Sequence, residues 1–153
     1  MIKPDLQIAF ITGRSRADNC SLSPAQATFI QQVVGHHQHV SFALRYRQQA
    51  LEMLASASHT LLLSGSCGLE LFNQLHLPPE WLARVSVFAF GPVAGRRPDC
   101  HHLLVQGDQD WISRCWFRQA DQRIACSHMN YLEQPQLAAL CRRFIADTGK
   151  QGA

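Results

Sequence analysis

At 153 residues and 46% apolar composition, the chain has the size of one domain, residues 1–153, and can bury roughly two thirds of its unfolded surface in a single core. No apolar run approaches the roughly 18 residues that span a bilayer, so a membrane-embedded chain is not expected. A formal charge of +3 is too mild for the basic footprint of a nucleic-acid binder, and with only Lys3 and Lys150 as lysines the basic residues are almost all arginine.

The opening "MIKPDLQIAFITGRS" has no long apolar segment followed by small residues, the mark of a secretory leader, so a cytoplasmic location is the expectation. The six cysteines, Cys20, Cys67, Cys100, Cys115, Cys126 and Cys141, form no CxxC pair and are read as reduced thiols.

In chain order, "LQIAFITG" (Leu6–Gly13) is a continuous apolar run ending in a turn residue, the pattern of a strand covered on both faces. "SPAQATFIQQVV" follows as a helix, with Ser23 as N-cap and Pro24 at the first helical position. "HVSFALRY" reads either as a short strand or as the start of the helix "ALRYRQQALEMLASA", whose stripe of Leu44, Leu51 and Leu54 is interrupted by Arg47 and Gln48. "TLLLSG" (Thr60–Gly65) is a second strand. It runs through Ser64-Gly65-Ser66-Cys67-Gly68 into the helical "GLELFNQLHL" and "PPEWLARV".

"VSVFAFGP" (Val85–Pro92), "HHLLVQGD" (His101–Asp108) and "QRIACSH" (Gln122–His128) continue the series of strands, and "QPQLAALCRRFIAD" closes the chain as an amphipathic helix. Strands alternating with helices predict a three-layer α/β/α sandwich around a mainly parallel sheet of five or six strands.

Ligands of such folds gather at the carboxyl ends of the strands. Those ends are Gly13-Arg14-Ser15-Arg16, Ser64–Gly68, Gly91-Pro92, Gly107–Trp111 and Ser127–Asn130. A serine, an aspartate and a histidine fall on one rim, in that order. A nucleophile on a sharp strand-to-helix turn needs small residues two positions to either side. Centring the turn on Ser66 gives Ser64 and Gly68, whereas centring it on Cys67 would put Leu69 at a flank. Ser66 is therefore the preferred nucleophile. It needs a base, for which His128 in "ACSHMN" is the candidate, and an acid, for which "GDQDW" offers Asp108 and Asp110.

These motifs resemble the α/β-hydrolase family, whose pattern reads small-x-Ser-x-small, then Gly-x-x-Asp, then Gly-His before a short helix. The resemblance makes Ser66 the nucleophile, Asp110 (fourth residue of its motif) the acid and His128 the general base. It also implies an oxyanion hole from the backbone N–H of Cys67 and one from the Gly13-Arg14 turn. The chain departs from the pattern at Ser64 and Ser127, where glycine is usual, and lacks the family's two extra N-terminal strands and lid. On this resemblance it looks like a minimal or cut-down version.

The implied activity is a serine hydrolase of carboxylesterase or thioesterase type, needing no cofactor or metal, with a small-molecule ester or acyl thioester as partner. Arg14, Arg16, Arg96, Arg97 and Arg114 follow strand ends, and a ring of guanidinium groups there favours an anionic substrate; a solvated collar of loop charges is the other reading. Trp111 and Trp116 are candidates for an acyl wall or for ordinary packing. "HHQH" (His36, His37, His39) and "CHH" (Cys100–His102) lack metal-ligand spacing and are read as loop or strand-edge residues.

Two alternatives stand beside the hydrolase. One is an inactive α/β-hydrolase-like binding or scaffold protein. The other is a phosphate or nucleotide binder using the Gly65–Gly68 turn, for which the Walker lysine and a full GxGxxG are missing.

Overall fold

A computed structural model describes residue 3 and residues 5–13 and 39–151. The helix expected from Ser23, and the rim residues Arg14 and Arg16, lie outside the described residues. Strand β1 (Leu6–Gly13) is followed by helix α1 (His39–Ala55), β2 (His59–Ser66), α2 (Gly68–Gln74), α3 (Pro79–Leu82), β3 (Val85–Phe90), β4 (His101–Gly107), α4 (Trp111–Trp116), β5 (Gln122–Ile124), a 3-10 turn (Tyr131–Glu133) and α5 (Pro135–Gln151). The five strands form one sheet in the order β1-β2-β3-β4-β5, every pair parallel. The chain is thus of the α/β class. Among the described residues no helix is long and apolar enough to cross a membrane.

Repeating a right-handed strand–crossover–strand step in one direction puts every intervening helix on the same face of the sheet. The packing follows that rule. Leu62, Val87, Ala89 and Leu104 cluster with Leu54 of α1, with Leu69 and Phe72 of α2, and with Phe117 beyond α4. On the other face Leu61, Phe88 and Val105 cluster with Leu137 and Phe144 of α5. Because both sides of β2 and β3 are covered, these strands read as unbroken apolar runs rather than alternating ones.

The ambiguous segment before Arg47 is helical: α1 runs from His39 without a Gly or Pro to break it. The polar interruptions of its stripe have partners. Arg47 Nη1 donates to Leu75 O at 2.9 Å, at the carboxyl end of α2, and Gln48 Nε2 donates to Glu52 Oε1 at 3.0 Å. Two elements differ from expectation. Strand β5 stops at Ile124, because the turn after β4 takes the next carbonyls: Asp108 N–H donates to Ile124 O at 2.8 Å and Gln109 N–H to Cys126 O at 3.1 Å. Helix α4 was not anticipated, although Asp110 followed by Ser113 is an N-cap pattern.

Register aligns the strand ends. Gly13 of β1 is opposite Ser66 of β2, Gly65 opposite Phe90, Phe90 opposite Val105, and Gly107 opposite Ile124. The turns leaving these strands therefore share one rim.

Candidate active site

Strand β2 delivers Ser66 in a left-handed backbone conformation, φ 51°, which a non-glycine residue adopts only where its surroundings enforce it. Here the enforcement is visible. Val93 N–H donates to Ser66 O at 3.0 Å, and the chain turns at once into α2. A Cβ on Gly68 would lie 2.5 Å from Ile11 O and 3.0 Å from Ser64 Oγ, so the turn packs on β1 too closely for any side chain there. Ser64, the other flank, is fully buried, and its Oγ has no hydrogen-bond partner among the described residues. The small flanks that spacing demanded have a steric cause.

Ser66 Oγ lies 3.0 Å from His128 Nε2, and His128 Nδ1 lies 2.9 Å from each carboxylate oxygen of Asp110. Three side chains from three separate turns, the first and last 62 residues apart, form one continuous chain. Asp110 is wholly buried, yet it also caps α4: Ser113 N–H donates to Oδ1 at 2.9 Å. Burial works to raise its pKa, but hydrogen bonds from His128, Ser113 and Tyr131 outweigh it and hold the carboxyl below its ordinary range. An ionised Asp110 only accepts, so His128 carries its proton on Nδ1. That leaves Nε2 as acceptor for the Ser66 hydroxyl.

The turn carrying His128 is tied by Asn130, whose Oδ1 accepts from Ser127 N–H and Ser127 Oγ–H, both at 2.9 Å. Asp108, the rival acid, is exposed at the surface, and Gln109 separates it from Asp110.

Cys67 is the residue after the elbow, at the start of α2. Its carbonyl accepts from Leu71 N–H at 3.2 Å, and burial raises its thiol above the usual range. A protonated thiol 3.9 Å from Ser66 Oγ is a neighbour rather than a rival nucleophile. The described cysteines Cys67, Cys100, Cys115, Cys126 and Cys141 are all free.

The arginines expected around the rim have distinct fates. Arg96 pairs with Asp99 at 2.7 Å, and Arg97 pairs with Asp121 at 2.9 Å while also donating to Gln119 O at 3.2 Å. Both thus have carboxylate partners in the surrounding loops. Arg114 on α4 is exposed and, among the described residues, donates to Asp108 O at 3.3 Å. Trp111, directly after Asp110, is 72% exposed, so core packing does not account for it. His101 and His102 begin β4, away from this rim, where His102 Nδ1 lies 2.7 Å from Cys100 O.

One residue of the site gave no signal in sequence, and a second was placed there only as a strand end. Tyr131 is buried and its hydroxyl donates to Asp110 Oδ2; Gly91, at φ 55°, makes room for the Tyr131 ring. A scan against protein-family models and a search of curated proteins return no match for this chain. Function is therefore read from the geometry.

Proposed function

We propose that this chain is a compact serine hydrolase of the α/β-hydrolase kind, a three-layer α/β/α domain that cleaves a small ester or thioester. The observation that carries the reading is the unbroken chain Asp110–His128–Ser66, with Ser66 on a left-handed strand-to-helix turn. Separations of 3.0 Å and 2.9 Å are within hydrogen-bond reach, whereas a triad spread beyond about 4 Å would have favoured the non-catalytic binding protein.

The chemistry follows from the donors and acceptors. Ser66 Oγ attacks the substrate carbonyl carbon as its proton passes to His128 Nε2. Asp110 stabilises the imidazolium without taking the proton. The carbonyl π pair moves to oxygen, and the resulting oxyanion is met by the Cys67 N–H. The family pattern assigns a second donor to the Arg14 turn. In hydrolases of this design, losing one such donor costs about 2.7–4 kcal/mol of barrier stabilisation. Collapse of the intermediate breaks the bond to the alcohol or thiol, which leaves with the proton from His128 Nε2. Water then repeats the sequence on the acyl-enzyme and frees Ser66.

Arg114 and the exposed Trp111 flank the acid and are assigned to the substrate, Arg114 to a carboxylate or phosphate and Trp111 to the acyl part; Arg16 joins them on sequence grounds. Free thiols and the absence of any long apolar helix among the described residues fit a reducing, cytoplasmic setting.

Fluorophosphonate labelling of the purified protein, read by intact mass and peptide mapping, tests the reading. The expected result is one adduct on Ser66, lost in Ser66→Ala and His128→Ala, followed by turnover on a panel of esters and acyl thioesters. A folded protein that takes no adduct would establish the binding protein instead. An adduct confined to Cys67 would move the nucleophile by one residue.

A further inference from the structure

We propose that Tyr131 is a positioning residue of the triad, locking the Asp110 carboxylate in the plane that faces His128. The inference rests on the hydrolase reading of Ser66, Asp110 and His128, and deepens it.

The direction of its hydrogen bonds is fixed by chemistry alone. Gly107 N–H can only donate, and it donates to Tyr131 Oη at 2.7 Å. The single phenolic proton is therefore left for Asp110 Oδ2, the oxygen that Ser113 does not take. Rotation of a carboxylate about its last bond is soft, with no sharp rotamer well to hold it. In Asp110 each oxygen has its own clamp: the Ser113 amide on Oδ1 and the Tyr131 hydroxyl on Oδ2. Both clamps are part of the frame, since Gly107 ends β4 and Ser113 lies in α4. Burial and the hydrogen bond to the Asp110 carboxylate push the Tyr131 pKa upward, so the phenol keeps its proton at neutral pH.

A second, independent observation concerns the space the ring occupies. A Cβ on Gly91 would stand 2.6 Å from Tyr131 Cε2 and 3.1 Å from Asp110 Oδ2, and Gly91 itself has φ 55°. The turn leaving β3 thus has a glycine in a left-handed conformation at the point where the ring passes to reach the carboxylate. The ring packs 5.8 Å from Phe90 and edge-on to His128 at 6.4 Å, centroid to centroid. Base and clamp lie on one short segment, so the imidazole and the hydroxyl are held relative to each other as well as to Asp110.

The decisive variant is Tyr131→Phe, which keeps the ring and deletes the donor. The fluorophosphonate labelling rate should fall roughly 10- to 100-fold, the scale of a lost hydrogen bond to a charged group. With two donors rather than three sharing its charge, Asp110 should hold the imidazolium more firmly. The acid limb of the rate profile then moves to higher pH by up to about one unit. A packing role alone would lower the melting temperature and leave the profile in place. If Tyr131→Phe does not fold, 3-fluorotyrosine in a Tyr46→Phe background keeps the hydroxyl and makes it a stronger donor. The acid limb should then move to lower pH.

The downfield proton resonance of His128 Nδ1–H, with the imidazole titration followed by NMR, reports the bond to Asp110 without any turnover. Wild-type protein that labels, beside a Tyr131→Phe protein with the same rate, pH profile and Nδ1–H shift, would overturn the positioning role and leave the hydrolase standing. Wild-type protein that fails to label would remove the hydrolase, and the NMR comparison would still decide whether Tyr131 sets the Asp110–His128 bond.

Discussion

At the amino-terminal end of the sheet, Ser86 Oγ lies 2.9 Å from His59 Nε2 and 3.1 Å from His101 Nδ1; at the carboxyl-terminal end, Ser66 Oγ lies 3.0 Å from His128 Nε2. By distance alone the two serines are equivalent. Their surroundings differ in every other respect. Ser86 sits inside β3 between two imidazoles, and burial, His101 and Arg84 all act to lower the His59 pKa. A hydroxyl with one proton can donate to at most one of its two imidazole neighbours, so at least one of them donates to it. Among the described residues no carboxylate hydrogen-bonds either imidazole, and Ser86 is 1% exposed, although a groove of about 750 Å³ opens beside it. Ser66 has a left-handed turn that presents the hydroxyl, a buried carboxylate that selects the tautomer, and amides at the start of a helix. A serine–histidine hydrogen bond is common polar satisfaction; an acid behind the imidazole and a left-handed turn beneath the serine are what the proposed hydrolase adds to it.

The largest expected effect separates the two ends directly. Asp110→Asn can no longer select the Nδ1–H tautomer and should lower the labelling rate roughly 10⁴-fold, as loss of the orienting acid does in such triads. Ser86→Ala should leave that rate within about twofold. A strong loss in Ser86→Ala, with the fold intact by circular dichroism, would break the comparison.

A smaller effect concerns glycines. Gly68→Ala forces a Cβ against Ile11 O and should cost about 1–3 kcal/mol in urea unfolding, with labelling reduced as the elbow shifts. Gly149 in α5 has nothing within 4 Å of an added Cβ, so Gly149→Ala should stabilise, by at most about 1 kcal/mol. Equal effects at both positions would show that the close approach at Gly68 relaxes freely.

The smallest effect is in pH. Burial, then His101, then Arg84 lower the His59 pKa below its ordinary 6.5. The unfolded chain then binds the proton more readily, so His59 contributes stability that is full above pH 6.5 and is lost as pH falls below it toward the folded value. The Asp110 carboxyl is also lowered, from an ordinary 3.8, and its contribution is lost only as pH falls below that value. Melting temperature should therefore decline in two stages on acidification, and His59→Gln should flatten the first while sparing the second.

Much of this was legible in sequence because strand ends and turns announce themselves locally. The run Leu6–Gly13 is the observed β1 residue for residue, and the flank rule around Ser66 reflects a real close approach at Gly68. The less legible parts are those where one element's bonds depend on another. Strand β5 is cut short by the neighbouring turn at Asp108 and Gln109. Arg96 and Arg97, which sequence spacing set on the rim, have Asp99 and Asp121 as partners, pairings that no local pattern announced.

What the sequence determined by itself is the alternation of apolar runs and helices, and the order of serine, aspartate and histidine at successive strand ends. Backbone preference and hydrophobic period are properties of short windows, so one chain suffices to read them. Only the tertiary structure decided that His128 and Asp110 meet at 2.9 Å, that Ser86 has imidazoles but no acid, and that Tyr131 reaches the carboxylate past a left-handed Gly91. Hydrogen-bond geometry across 18 to 62 residues is set by the register of a parallel sheet and the packing of its helices, and no local pattern encodes it.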